Sequence, residues 1–278
     1  MFSRIFLFIA IFVSIINTDA YNLNFMKVDK KMYNGKVIKV YESNTLKSIE
    51  MDSIVFFTGG NSIIPGDIYS TFIGYLVDYN YSVSVVSNNI DSTCGYLRDI
   101  KNKYNNFYFL SHSSGATNAI EVSNRFMDVE KAIFLDPVDN TKLIKMGKNE
   151  IYGLRDLLII TADKSYEWSV MPFKVPFIPA FRLDTKDISK KNPDVNIKYV
   201  NAYDNGHTDV LDSLWSDLMH STFSKGTEDR SEQNLNRYRK FLVDEIHKFI
   251  CDDATDVTDV SVSDVSDVSD GNGFLYEM

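Results

Sequence analysis

A serine hydroxyl is a poor nucleophile until a base removes its proton and a carboxylate orients that base. One stretch of this chain sets a serine where such chemistry is feasible: Phe107-Tyr-Phe-Leu-Ser111-His112-Ser113-Ser114-Gly115-Ala-Thr-Asn-Ala-Ile120. An apolar run stops at a serine among small residues, and an amphipathic segment begins at once. That order predicts a strand, a sharp turn and a helix, the setting that lifts a serine clear of a buried sheet. Ser-x-Gly alone is weak, because average composition yields it roughly once per 200 residues, and here it recurs at Ser224 and Ser269. Only Ser113 follows a strand-like run and opens a helix-like one.

Four histidines compete for the role of base. His112 adjoins the nucleophile, and its side chain is expected to leave the turn in another direction and join the pocket wall. His220 and His247 fall within helical patterns, where a surface histidine is ordinary. His207, in the loop Asp204-Asn-Gly206-His207-Thr-Asp209, is the expected base. Asp136 and Asp163 each end a strand-like run after Ser113, and either could supply the acid or merely cap a turn; Asp136 is favoured. Asp204 and Asp209 lie near His207 but are expected to face solvent. An oxyanion needs two backbone N–H donors. These are expected from Ser114, directly after the nucleophile, and from the Gly59-Gly60-Asn61 turn, with Gly60 the leading residue.

The elements that must position these groups are short and alternate. Lys36–Tyr41 alternates behind the hairpin pair Asn34-Gly35. Apolar strands are predicted at 54–57, 82–86, 107–110, 132–135, 157–161 and 196–200. Helical patterns fall near 68–79 and 96–104, after Ser113 (Ala116, Ala119, Ile120, Ser123 and Met127 on one face), and after His207 (Val210, Leu211, Leu214 and Leu218 inward). A last helix covers 232–250, with Leu235, Tyr238, Phe241, Leu242, Ile246 and Phe249 on one face. Strands alternating with amphipathic helices imply a mainly parallel sheet covered on both faces. In such sheets ligands bind beyond the carboxyl ends of the strands. Ser113, Asp136, Asp163, His207 and Gly59-Gly60 all fall at such ends.

The 278 residues and the 44% apolar fraction allow one large core. Residues 1–20 read as a secretory signal: Arg4 precedes the apolar run Ile5 to Ile16, and Thr18-Asp19-Ala20 offers a cleavage site. A retained anchor is the alternative. The globular domain is assigned to 21–251, and 252–278 reads as a disordered acidic tail. From Cys251 onward there are seven Asp, one Glu and no Lys or Arg, so −8 of the net charge of −9 sits there and the body carries about −1. That body has no field to steer nucleic acid. Cys94 and Cys251 could pair or stay free. With no clustered Cys and His, no metal or organic cofactor is expected.

Four segments together resemble the α/β-hydrolase superfamily, and within it the branch of chlorophyllases and platelet-activating-factor acetylhydrolases. They are Val55-Phe-Phe-Thr-Gly59-Gly60, Ser111-His-Ser113-Ser-Gly115, Ile133-Phe-Leu-Asp136-Pro137-Val138 and Asn205-Gly-His207-Thr-Asp-Val-Leu-Asp212, and the pattern spans roughly 30–250. The resemblance implies a three-layer α/β fold, a Ser113–Asp136–His207 triad, and ester or lipase-like hydrolysis without a cofactor. It puts the acid after the strand that follows the elbow helix, hence Asp136; in the other common layout the matching position here is Ser165. Two departures stand out: Ser111 replaces the first elbow glycine, and Thr58-Gly59 stands where His-Gly is usual. The Pro- and aromatic-rich stretch Trp168 to Phe181 reads either as a lid over an acyl pocket or as packing on the sheet edge. A hydrophobic ester or lipid is the expected substrate, with transient contact at a lipid surface. The rival is a hydrolase fold kept as a non-catalytic binding module.

Overall fold

In the computed structural model the described residues are 26–45, 51–126, 128–138, 150–167, 183, 185–220 and 226–252. Residues 1–20, read above as a secretory signal, the acidic stretch beyond Asp252, the stretch Trp168 to Phe181 and Met127 lie outside them.

Eight strands form one sheet: β1 (Met26–Tyr33), β2 (Lys36–Ser43), β3 (Asp52–Phe57), β4 (Tyr81–Val86), β5 (Phe107–His112), β6 (Lys131–Leu135), β7 (Asp156–Ala162) and β8 (Asn196–Ala202). Their order is β1-β2-β4-β3-β5-β6-β7-β8. β1 and β2 are antiparallel, and β2 runs antiparallel to β4. From β4 to β8 every pairing is parallel. Asn34 and Gly35 both have positive φ, 47° and 73°, which a two-residue hairpin with the twist of its strands demands.

The central strands carry apolar runs that point to both faces because both faces are covered. Ile54 and Phe56 of β3 enter one core with Leu110, Ile133, Leu158 and Ile160, whereas Val55 and Phe57 enter the other with Phe109, Phe134, Leu157 and Ile159. The first core is closed by α2 (Ser70–Asp78), through Phe72, Ile73 and Leu76, and by the last helix, Glu232–Cys251, through Leu242, Val243 and Ile246. The second is closed by α3 (Ile90–Ile100) and α4 (Gly115–Ser123). Three layers result. Ahead of α2 lie a single helical turn, α1 (Gly59–Ser62), and the 3-10 turn Gly66–Tyr69. α5 is Thr185–Lys191, α6 is Ser213–His220 and the last helix is α7.

Two helices depart from expectation. α3 starts at Ile90, six residues before the expected Tyr96. Asn89 accepts from the Ser92 amide at 2.8 Å, and Asp91 sits in the first turn, so capping carries a start that Gly95 and the polar residues disguise. In α6, Leu214 and Leu218 are half exposed rather than inward. Val210 and Leu211 are buried in the turn before the helix, so they do not share its phase. The inward face carries Trp215 and Ser216 instead, with Met219 packed partly against the core. Cys94 is buried, Cys251 is exposed, and both are free.

Lys131, at the start of β6, is buried, and its Nζ donates to the carbonyls of Phe249, Ile250 and Asp252 at 2.9–3.2 Å. It thereby satisfies acceptors that the end of α7 leaves without intrahelical donors. Lys131→Met keeps the apolar stem and removes the donors. The expected cost is about 1–3 kcal/mol, read as a lower urea midpoint with an unchanged slope.

Candidate active site

Ser113 sits between β5 and α4 at φ 55°, a left-handed conformation that a serine adopts only when its surroundings impose it. Its amide donates to Leu135 O at 3.0 Å, and its carbonyl accepts from Val138 N at 3.1 Å, so the turn is bolted to the end of β6. Gly115 is what lets α4 leave so sharply. A Cβ there would lie 2.2 Å from Phe57 O and 2.6 Å from Thr58 O, both backbone atoms. The helix start is thus pressed against the end of β3, which holds the elbow next to the Gly59-Gly60 turn. Asn118 of α4 adds a side-chain bond to Ser62 at 3.1 Å. Gly115→Ala is expected to cost roughly 1–3 kcal/mol or more, as overpacking against an unyielding backbone; chemical denaturation measures it.

Asp136 follows β6 with φ 42°. Its carboxylate accepts from His207 Nδ1 at 2.5 Å, from Ser165 Oγ at 2.7 Å and from the Ala162 amide at 3.3 Å. All three donors lie beyond or at the end of neighbouring strands. The pair is buried, Asp136 at 5% exposure and His207 at 8%. Because a carboxylate only accepts, Nδ1 of His207 carries a proton, so in the neutral imidazole Nε2 is the nitrogen that bears the lone pair. The His207 ring lies 4.7 Å, centroid to centroid, from the ring of His112, the residue next to Ser113.

Asp163 opens the 3-10 turn Asp163–Glu167 and makes no hydrogen bond to His207 among the described residues. The turn it begins presents Ser165, buried at 2%, to Asp136. Asp204 is exposed and pairs with Lys164 at 3.4 Å. Asp209 differs from expectation: it is fully buried. It accepts from the amides of Gly206 and Thr227, each at 2.8 Å, and pairs with Arg230 at 2.5 Å. A loop that must aim a histidine closes on its own carboxylate, which an arginine then neutralises. Ser111 Oγ is buried and has no hydrogen-bond partner among the described residues.

Gly60 lies in α1 with φ 61°. The Gly59 amide donates to Tyr69 Oη at 3.1 Å, and the amides of Ser62, Ile63 and Ile64 reach carbonyls within the same turn. No acceptor for the Gly60 amide is found among the described residues. Ser114 directly follows the elbow serine and is the residue before α4. Among the described residues no group of three or more His, Cys, Asp or Glu is arranged to hold a metal ion.

His112 is tied into hydrogen bonds on both ring nitrogens. It is buried, with Nδ1 2.8 Å from Tyr69 Oη and Nε2 2.9 Å from the His207 carbonyl. Burial, and then the neighbouring His207, push its pKa down to about 3, while burial raises that of Tyr69. Both are therefore neutral near pH 7. A buried phenol in an apolar helical pattern reads as core, so nothing in the sequence marks Tyr69; Ser165 is equally silent about its bond to Asp136.

No protein-family model matches the sequence, and no curated protein matches it significantly by sequence. Solved structures do match. The chain is similar to an esterase from Rhizomucor miehei, with TM-score 0.50 and 11% identity over 81% of this chain and 84% of that one. It is also similar to a thermostable esterase from Pseudomonas putida, with TM-score 0.50 and 13% identity over 84% and 88% of the two chains. The chain has the α/β-hydrolase fold. In that fold the residues above occupy the ends of β3, β5, β6, β7 and β8, all at one edge of the sheet.

The buried neutral His112 has a thermodynamic consequence. Its pKa falls from the ordinary 6.5 to about 3 on folding, so between those values the unfolded chain binds a proton that the folded chain refuses. Stability then declines as pH drops from about 6.5 toward 3, by up to about 1.4 kcal/mol per pH unit from this group. His112→Gln should flatten that slope between pH 6 and 4, measured by urea titrations at each pH.

Proposed function

We propose that this chain is a serine hydrolase of carboxylic esters, with Ser113 as nucleophile, His207 as base and Asp136 as the acid that orients it. The observation that carries the reading is the buried 2.5 Å bond from His207 Nδ1 to Asp136, the residue after Leu135, whose carbonyl holds the amide of a serine at φ 55°. That both structural neighbours are described as esterases supports it. In this scheme Ser113 Oγ attacks the ester carbonyl as Nε2 of His207 takes its proton. The imidazolium is stabilised by Asp136 and returns the proton to the leaving alcohol. Water then releases the acyl group through the same base. The amides of Gly60 and Ser114 receive the oxyanion.

Within this reading the acid follows β6, which fits the chlorophyllase and platelet-activating-factor acetylhydrolase branch. A hydrophobic or lipid ester is the proposed substrate, for which Ile63, 60% exposed beside the Gly60 turn, offers an apolar rim. The leader is proposed to direct secretion.

A fluorophosphonate probe should label the wild type at Ser113 and leave Ser113→Ala unlabelled. Asp136→Asn should lower kcat on a p-nitrophenyl ester by on the order of 10³-fold or more, with Asp163→Asn near wild type. An unlabelled wild type would favour the non-catalytic module; collapse of Asp163→Asn with Asp136→Asn intact would move the acid.

A further inference from the structure

Three hydrogen bonds join the two halves of the site through groups that carry no charge. The Gly59 amide donates to Tyr69 Oη at 3.1 Å, Tyr69 Oη lies 2.8 Å from His112 Nδ1, and His112 Nε2 lies 2.9 Å from the His207 carbonyl. The ends fix every proton. An amide can only donate and a carbonyl can only accept, so His112 must carry its proton on Nε2 and receive the phenol proton on Nδ1. The chain starts one residue before Gly60 and finishes on the main chain of the proposed base.

Its Tyr69 end is anchored by the same loop. Five residues beyond His207, Asp212 donates its amide to Ile68 O at 2.8 Å. The Asp212 carboxylate accepts from Ser70 N, Ser70 Oγ and Thr71 N at 2.7–3.1 Å. Tyr69 is therefore clamped on both sides by the segment that also carries the opposite end of the strut, and the hydrogen bonds close a ring. Gly59 leaves the space for it: a Cβ there would lie 3.1 Å from Tyr69 Oη and 3.3 Å from His112 Nδ1.

We propose that Tyr69 and His112 are positioning residues, a neutral strut that sets the backbone of His207 against the Gly59-Gly60 turn. The proposal rests on the esterase reading above. Proton transfer and oxyanion stabilisation both depend on that spacing, and a misplacement of about 1 Å can cost on the order of 100-fold in rate. The strut acts on the reacting geometry rather than on the acyl pocket, so it governs kcat and leaves KM alone.

The test uses the full chain and a short p-nitrophenyl ester. Tyr69→Phe and His112→Phe remove the bonds at similar volume, and each should lower kcat and the fluorophosphonate labelling rate roughly 10- to 100-fold, with KM changed less than about two-fold. His112→Gln, which offers a donor and an acceptor at comparable reach, should recover most of the loss. In the folded wild type, ¹⁵N spectra at pH 7 should report His112 neutral and protonated on Nε2. Wild-type kcat in a folded Tyr69→Phe, a loss confined to KM, or an Nδ1-protonated His112 overturns the strut alone. A wild type that the probe does not label sinks the esterase reading and the strut together.

Discussion

The bond between Asp136 and His207 is the contact around which this edge of the molecule is organised. The two residues follow β6 and β8, which are not neighbours; β7 lies between them. The carboxylate must therefore pass over the end of β7 to meet the imidazole, and β7 is built to be passed over. Its last residue, Ala162, donates its amide to Asp136, and the turn after it supplies the Ser165 hydroxyl. Asp136 N in turn donates to Ile160 O at 2.6 Å, which continues the β6–β7 pairing one step past the strand. A buried carboxylate without donors would be expensive; here three donors, from the end of β7, the turn after it and the loop after β8, meet it and fix its plane. The positive φ of Asp136 turns the chain so that one residue can serve both the sheet and the crossing.

Strain is concentrated where this edge needs it. Six non-glycine residues have positive φ, among the described residues: Asn34, Ser62, Asn80, Ser113, Asp136 and Asp204. Asn and Asp tolerate that region, and Asn34, Asn80 and Asp204 lie in ordinary turns. Ser62 and Ser113 have no such excuse, and each strained residue costs on the order of 1–3 kcal/mol. Both flank the contact between α1 and α4, where Gly115 excludes any side chain and Asn118 reaches Ser62. The backbone bonds of Ser113 to Leu135 and Val138, formed on a strand buried on both faces, hold the elbow in a conformation that serine would otherwise leave.

What could be read from the residues follows from what each kind of order requires. The sheet was legible because double burial makes strands such as Ile54–Phe57 apolar throughout, and the site edge because its polar residues end those strands. The start of α3 was not, since its cap, Asn89, acts through geometry rather than hydrophobic period. The phase of α6 was misjudged because Val210 and Leu211 look periodic with Leu214 and Leu218 yet sit in a turn. Asp209 looked like a solvated turn residue; its burial is made affordable by Arg230, which lies 21 residues away in sequence. Tyr69 and Ser165 make hydrogen bonds to His112 and Asp136, partners 43 and 29 residues distant, and no local pattern encodes such pairs.

The segment from Gly206 to Asp212 shows how little chain is needed once its polar groups are distributed. Asp209 closes the turn on Gly206, Arg239 of α7 donates to Leu211 O, and Asp212 accepts from Ser70 at the start of α2 across 142 residues. The first closes the loop on itself, the other two tie it to α7 and α2, and none involves the His207 side chain. Among the described residues that side chain has one hydrogen-bond partner, Asp136. Had the loop been held by packing alone, His207 could rock within its rotamer well. Held at these three points by directional bonds, the backbone leaves the imidazole a single seat, and the geometry of the site becomes a property of the loop rather than of the histidine.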